Sequence, residues 1–442
     1  MNKCIKIIVK NCEELDWKEL NKILYELRYK NWLACNKAMT KFYAFALENM
    51  EYKDSTGLNI NEKERFGKTH GAVVQDIMKD VMDISNTGNV AQTSQFVNKR
   101  FKDDVKKGVF KGNVSLSNFK QDIPIIIKNS NYKIINNDKN YKMEVSLFNN
   151  KYKKENNIKK LNFNIDKLGK NEKTILDRII SGEYKQGSVQ LQINKKKKWE
   201  IIISYGFEAE IKELNSNKTL GVDLGITKVA TMQVFNIETE KWDRINWKEC
   251  FIDGKELIHY RQQIEIRRRQ LQIASKVVGE GRIGHGIKTR MKPVEKLNDK
   301  IHNFRDTYNH KVSKYIVNMA VKYDCKTIQM EDLTGFSEQQ IESFLKNWSY
   351  YDLQTKIKYK AKEVGIKVIL INPKYTSKRC SKCGNIHEEN RDCKSNQAKF
   401  KCIICGHEEN ADINASKNIS IPYIDKIIEE YMKDNKDYKK VI

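Results

Sequence analysis

Cys380, Cys383, Cys402 and Cys405 form two C-x2-C pairs separated by eighteen residues, and no other feature restricts the fold of this chain as tightly. Four thiolates hold a tetrahedral zinc ion only when two tight turns face each other, and this spacing supplies both turns. Gly384 and Gly406 each follow a pair directly, which suits the sharp backbone of a zinc ribbon. Four unrelated buried thiols are a poor account of such spacing. A shell closed by four protein ligands leaves no open position, so one structural zinc is expected. Cys393 and His387 fall inside the loop and read as bystanders.

Bulk properties narrow the class. Lys and Arg number 82 against 57 Asp and Glu, a formal charge of +25 on 442 residues. A surplus this large repels itself unless a polyanion balances it. An acidic membrane is the rival polyanion, but no run of eighteen apolar residues occurs, and the start MNKCIKIIVKNCEEL makes a poor signal peptide. The scattered Cys4, Cys12, Cys35, Cys250, Cys325 and Cys393 read as buried small hydrophobes or free thiols of a reducing compartment. A cytoplasmic, membrane-free protein with a nucleic-acid partner is expected.

Periodicity divides the chain into an α+β multidomain arrangement. Ile5, Ile7 and Val9 alternate with polar residues as a strand within residues 1–15. Helical spacing (Leu20, Ile23, Leu24, Leu27) opens a helical region over 16–112, broken near Ser85–Asn89. Period-two patterning marks 113–210, with hairpins at YKIINNDKNYKMEVSLF and at SVQLQIN-NKKKK-WEIIISYGF and a short helix around Glu172–Ile180. The N-terminal half is thus expected to be a helical insertion in a small β domain whose strands form a barrel. A polar stretch at 211–218 reads as a linker. Beyond it, meandering strands and then strands alternating with helices predict an α/β domain with a mixed sheet, residues 219–374 and 410–442, interrupted by the ribbon at 375–409.

Three carboxylates occupy telling positions in that second half. Asp223 lies in TLGVDLGITKVATM, Glu331 ends the apolar run KTIQME, and Asp412 lies in ENADINASKNI. Taken singly, each is better read as ordinary structure: a hairpin turn, a solvated strand end, a helix cap. Taken together, far apart in sequence yet each at a strand or helix end, they fit convergence on a pair of hard cations. Magnesium prefers oxygen ligands, and three carboxylates suffice for two ions, roughly 3.5–4 Å apart, sharing a scissile phosphate. This is the chemistry of metal-dependent phosphodiester hydrolysis. The combination resembles the RuvC-type arrangement on an RNase H-like fold.

Other surfaces are less specific. HYRQQIEIRRRQLQIA predicts a helix with Leu257, Ile264, Ile266, Leu271 and Ile273 on its buried side. Its Arg261, Arg267, Arg268 and Arg269 suit phosphate contacts or a plain solvated face. Lys195–Lys198 reads as a solvated turn. In RYKNWLACNKAMTKFYAF, Tyr29, Trp32, Phe42 and Tyr43 interleave with basic residues, and at least half of these rings are expected in the core. Trp348, Tyr350 and Tyr351 read as helix packing.

The run NWSYYDLQTKIKYKAKEVGIKVILINPKYTSKRCSKCG, with QMEDLTG before it and NADINASKNI after it, resembles the compact type V-F CRISPR nucleases. It is also similar to their transposon-encoded TnpB relatives. The likeness covers about residues 216–420, and NADIN in place of the DRDxN common in TnpB proteins favours the CRISPR branch. The resemblance implies an RNA-guided DNA endonuclease in which Asp223, Glu331 and Asp412 hold two magnesium ions, with Arg391 near the scissile phosphate. It further implies a guide RNA and double-stranded target DNA as partners. The N-terminal β domain would be a wedge that grips the guide scaffold and a T-rich flanking motif, with the helical region as a recognition lobe and the ribbon as a target-strand contact. It implies too an asymmetric homodimer on one guide, since one copy is small for a roughly 20-base-pair heteroduplex. No second cysteine knuckle, present in some relatives, occurs near the N-terminus. A TnpB protein guided by transposon-end RNA, a catalytically idle RNA-guided DNA binder and a guide-independent junction resolvase remain as alternatives.

Overall fold

Apolar residues at every second position make Asn2–Cys12 a strand (β1), with Ile5, Ile7 and Val9 buried. In the computed structural model, which describes residues 1–137, 140–165, 168–225, 227–276, 289, 291–333, 350–391 and 398–434, the chain divides into two units, Met1–Glu208 and Ala209–Ile442. Cys393 and Trp348 lie outside the described residues.

In the first unit, the Asp16 side chain accepts from the amides of Lys18 and Glu19 and so starts a long helix, Trp17–Thr56 (α1). Gly57, at φ +74°, ends it in the left-handed conformation that glycine adopts without strain. Its Ala34, Cys35, Ala38, Met39 and Phe42 pack a small core against Val74 and Met78 of His70–Val81 (α3) and Val90, Val97 and Phe101 of Thr87–Lys106 (α4). A short helix, Glu62–Phe66 (α2), precedes them. The break expected near Ser85–Asn89 falls between α3 and α4, where Asn86 caps the second helix.

The β region holds strands Ile125–Ile127 (β2), Tyr132–Asn137 (β3), Asn140–Val145 (β4), Leu161–Ile165 (β5), Lys185–Ile193 (β6) and Trp199–Gly206 (β7). They join β1 in a seven-stranded antiparallel sheet ordered β2-β6-β7-β1-β5-β4-β3. Both expected hairpins are present, β3 with β4 and β6 with β7. The strand path is open, but the sheet curls: Tyr132 Oη at the β3 end donates to the Gly187 carbonyl on β6 at 2.8 Å. Within the curl Ile7, Met143, Phe163, Val189, Leu191 and Ile203 form one core, sealed by Leu20, Leu24 and Leu27 of α1. Two further helices, Asn150–Glu155 (α5) and Lys170–Ile180 (α6), complete the unit.

The second unit is built on a mixed sheet of Asn215–Asp223 (β8), Lys228–Asn236 (β9), Lys241–Asp243 (β10), Phe251–Asp253 (β11), Cys325–Glu331 (β12) and Lys367–Ile371 (β13). Its order is β10-β9-β8-β12-β13, with β11 also on β9. The first three strands meander antiparallel, whereas β8, β12 and β13 run parallel, as the strand-then-helix pattern predicted. β8 starts at Asn215, so half of the stretch read as a linker is strand, tied by an ion pair from Lys218 to Asp243 at 2.8 Å. Helices Lys255–Lys276 (α7), Lys292–Lys322 (α8) and Tyr350–Glu363 (α9) occupy the crossovers. Alternation sends Leu220, Val222, Ile328 and Met330 into a core with Val312 and Ile316 of α8 and Leu353 and Ile357 of α9.

Gly221, Asp223, Gln329 and Glu331 point to the opposite face. Helix Ala411–Ser420 (α10) lies on it, and Ile424–Asp434 (α11) follows. A methyl group built on Gly221 would come within 2.4 Å of the Ser416 carbonyl and the Ser420 amide, so the helix sits directly on the strand backbone. Gln329 Nε2 donates to the Ile421 carbonyl at 2.9 Å just beyond the helix. No helix among the described residues is long and apolar enough to cross a membrane.

Because the clash at Gly221 is with backbone on both sides, Gly221→Ala is expected to destabilise the second unit by roughly 2 kcal/mol or more. A lowered thermal midpoint beside an unchanged Gly71→Ala control, where the added methyl meets nothing within 4 Å, would show it.

Candidate functional site

β8 and β12 are adjacent parallel strands in register at Val222 and Met330, and each ends one residue later in a carboxylate. Asp223 and Glu331 therefore stand side by side at the carboxyl edge of the sheet, where α/β folds gather their ligands. Asp412 arrives from the other direction, in the first turn of α10. The cap of that helix is Asn410, whose side chain accepts from the amides of Asp412 and Ile413 at 3.0 and 3.2 Å. Asp412 is thus released from capping duty and its carboxylate is left for the site.

Asp223 lies near enough to Glu331 and Asp412 to feel the charge of both. Burial, and then the like charges of Glu331 and Asp412, push the Asp223 carboxyl well above the ordinary carboxylate range. Burial also raises Glu331, against a hydrogen bond from Thr376 and the charge of Arg391. Asp412 is raised by burial too, and Arg391 and Lys228 oppose it. Arg391 faces all three acids, with its Nη2 at 3.8 Å from Asp412, while its buried Nε has no hydrogen-bond partner among the described residues. Asp223, Glu331 and Asp412 supply carboxylate oxygens, the donor type that magnesium prefers.

Several neighbours carry no signal in the sequence. Lys228, at the start of β9, influences Asp412 and pairs with Asp253 at 3.5 Å. Thr376 Oγ1 donates to the Glu331 carboxylate, and Gln354 Nε2 to the Glu331 carbonyl at 2.6 Å. Tyr350 packs against the core as expected, and its hydroxyl is pushed up to about 12 by burial, with the Asp223 charge adding and Arg261 opposing.

That places Arg261 apart from the other arginines of α7. Arg261 is half-buried and interacts with Tyr350, whereas Arg267, Arg268 and Arg269 are exposed, the last paired with Glu265 at 3.4 Å. The apolar side expected of this helix is corrected as well. Leu257 is buried, and Ile264 and Leu271 are partly so. Ile266 and Ile273, however, are 58 % and 65 % exposed. Of the N-terminal rings, Phe42 is buried, Trp32 is pinned through Nε1 to the Phe119 carbonyl at 2.7 Å, and Tyr43 stacks on Phe110, while Tyr29 is exposed.

The four cysteines converge as their spacing requires. Their sulfurs all lie within 4.8 Å of one another, with Cys380–Cys405 at 3.7 Å and Cys383–Cys402 at 3.6 Å. A tetrahedron with Zn–S bonds of about 2.3 Å has edges of about 3.8 Å, so the thiol set fits zinc. Gly384 and Gly406, at φ +78° and +67°, donate their amides back to the Cys380 and Cys402 carbonyls at 2.9 and 3.0 Å. Strands Lys399–Lys401 (β14) and Glu408–Asn410 (β15) form the hairpin beneath the second pair and lead straight into α10. His387 Nδ1 accepts from the Glu389 amide at 3.2 Å and lies outside the thiol group, as expected.

Residues 350–419 match the family described as Cas12f1-like, TNB domain, and residues 202–336 match a family described as probable transposase. The chain is 42 % identical over 424 residues to the CRISPR-associated endodeoxyribonuclease Cas12f1 of Sulfoacidibacillus thermotolerans, covering 95 % of this chain and 97 % of that one. It is 39 % identical over 362 residues to the Cas12f1 of Syntrophomonas palmitatica, covering 73 % and 70 %. Among solved structures it matches a chain from a Cas12f1–sgRNA–target DNA complex at a TM-score of 0.70 and 18 % identity, over 96 % and 99 % of the two chains. These likenesses define a CRISPR-associated endodeoxyribonuclease with relatives among transposon proteins. More narrowly, the chain belongs to the Cas12f1 family.

The raised acids generate a stability test. A carboxyl whose pKa rises on folding binds more protons in the native state, so folding stability falls as pH climbs above the ordinary carboxylate value of about 4. With divalent ions chelated at pH 7.5, Asp223→Asn is therefore expected to melt at a higher temperature than the unaltered protein. Magnesium should narrow the gap.

Proposed function

We propose that the chain is an RNA-guided DNA endonuclease that hydrolyses phosphodiester bonds in both strands of guide-matched duplex DNA at a single acidic centre. The observation that carries this reading is the meeting of Asp223, Glu331 and Asp412 with Arg391 on one sheet face. Asp223, Glu331 and Asp412 would hold two magnesium ions, which when bound supply an activated water and stabilise the leaving oxygen. The ionised carboxylates fix the donor positions. The sheet edge supplies rigid anchors for two of them and a helix end for the third. Arg391 and Lys228 offer positive charge to the scissile phosphate, and Arg391 Nε, with no hydrogen-bond partner among the described residues, can bond a phosphate oxygen. Exposed Arg267 and Arg268 are assigned to backbone phosphate contacts.

The curled sheet of residues 1–15 and 113–210 is assigned to the wedge that grips guide scaffold and a short T-rich flanking duplex, and the helices of 16–112 to the recognition lobe. The second unit is read as a RuvC-like nuclease over 219–374 and 410–442. One structural zinc at Cys380, Cys383, Cys402 and Cys405 would hold the ribbon over 375–409 as a target-strand contact. Base pairing then reads sequence, and protein reads shape and a flanking signal. We infer a prokaryotic cytoplasmic setting and an asymmetric pair of copies on one guide. The match of residues 202–336 to a probable transposase keeps a transposon-derived guide as the second reading. Sequencing the RNA that co-purifies decides it: repeat-spacer transcripts support the first, transposon-end RNA the second.

Asp223→Ala is expected to lower magnesium-dependent cleavage by at least about 10³-fold while guide-dependent DNA binding persists in a gel-shift assay. Retained cutting would refute the assignment. Elemental analysis is expected to find one zinc per chain, and Cys402→Ser to lose it.

A further inference from the structure

The thiol knuckle and the acidic face are joined by an unbroken path of hydrogen bonds. The Ser381 amide, inside the first cysteine pair, donates to Asn414 Oδ1 at 2.9 Å, and Asn414 Nδ2 donates to the Arg379 carbonyl at 2.8 Å. One helical turn on, Asn418 Nδ2 donates to the Arg379 carbonyl at 2.6 Å and to the Thr376 carbonyl at 2.9 Å, and Asn418 Oδ1 accepts from Arg379 Nη1 at 2.8 Å. Asn414 and Asn418 sit on α10, the helix that carries Asp412. At the far end, Thr376 Oγ1 donates to the Glu331 carboxylate and also lies 2.9 Å from the Pro373 carbonyl. A hydroxyl has one proton, and the charged acceptor holds it more strongly.

Thr376, Asn414 and Asn418 are fully buried. Water cannot replace a lost partner there, so each link is maintained or leaves an unsatisfied group. None of the three is a candidate metal ligand, and none is needed to build the sheet. What they do is fix the segment 376–381 against α10 on one side and against Glu331 on the other. The spacing between Asp412 and Glu331, carried by different elements, is thereby set through this segment.

We propose that Thr376 and Asn418 are positioning residues through which the knuckle sets the separation of Glu331 and Asp412 for divalent-ion binding. This rests on the reading of the acidic face as the ion site. Partners of metal-binding carboxylates act by orienting them, and their loss weakens affinity or activity roughly 10- to 100-fold.

The test uses the full chain with its co-purified RNA and follows Mn²⁺ binding by electron paramagnetic resonance, alongside cleavage as a function of magnesium concentration. Thr376→Val is expected to raise the half-saturating concentration of both ions roughly 10- to 100-fold with zinc content and guide-dependent DNA binding unchanged, and Thr376→Ser to restore them. Stripping zinc from the unaltered protein with a zinc-selective chelator is expected to weaken Mn²⁺ binding to a similar degree, and added zinc to reverse it. This arm stands even if Thr376→Val folds poorly. Unaltered Mn²⁺ affinity in Thr376→Val or in the zinc-free protein, or a serine variant as impaired as the valine one, would overturn the inference alone. No Mn²⁺ binding by the unaltered protein would sink the reading of the acidic face itself.

Discussion

Helix α10 rests on strand β8 with nothing between their backbones, and that contact determines what the second unit can hold. Asp223 is anchored two residues beyond Gly221, and Asp412 sits one turn before the segment of α10 that lies over it. Any side chain at 221 would lift the helix away and carry the third acid with it. Parallel pairing of β8 with β12 supplies the second acid with no further device, since residues in register on neighbouring strands share an edge. One glycine and one register thus account for the assembly of a centre whose parts are scattered over most of the second unit.

Bringing three acids together is unfavourable by itself. Burial raises all three, the charges of Glu331 and Asp412 raise Asp223 further, and Arg391 opposes the rise in each, joined at Asp412 by Lys228. The surrounding architecture holds the acids in place regardless, through a buried core on one sheet face and capped, hydrogen-bonded helix ends on the other. Acids raised in this way cluster at functional sites.

What could be read beforehand was what obeys short-range rules. Alternation revealed both hairpins, helical spacing revealed α1, and the cysteine spacing with its two glycines revealed the knuckle turns. The acids were visible because strand and helix ends have local signatures. The residues that support them were not. Thr376 reaches Glu331 across forty-five positions, Lys228 is one lysine among many, and Gly221 looks like any strand glycine until the helix above it is known. Spacing also misread Ile266 and Ile273, because periodicity marks an apolar stripe without saying which of its residues a partner covers. β5 and α5 escaped individual notice because five- and six-residue elements carry few periods.

The order of the acids along the chain has a temporal consequence. Asp223 leaves the ribosome well before Asp412, and at about 5–20 residues per second the interval is on the order of 10–40 s. During that time the first unit and most of the mixed sheet can fold on the nascent polypeptide, yet the acidic face lacks its last wall. The three acids can therefore meet only after α10 has been made.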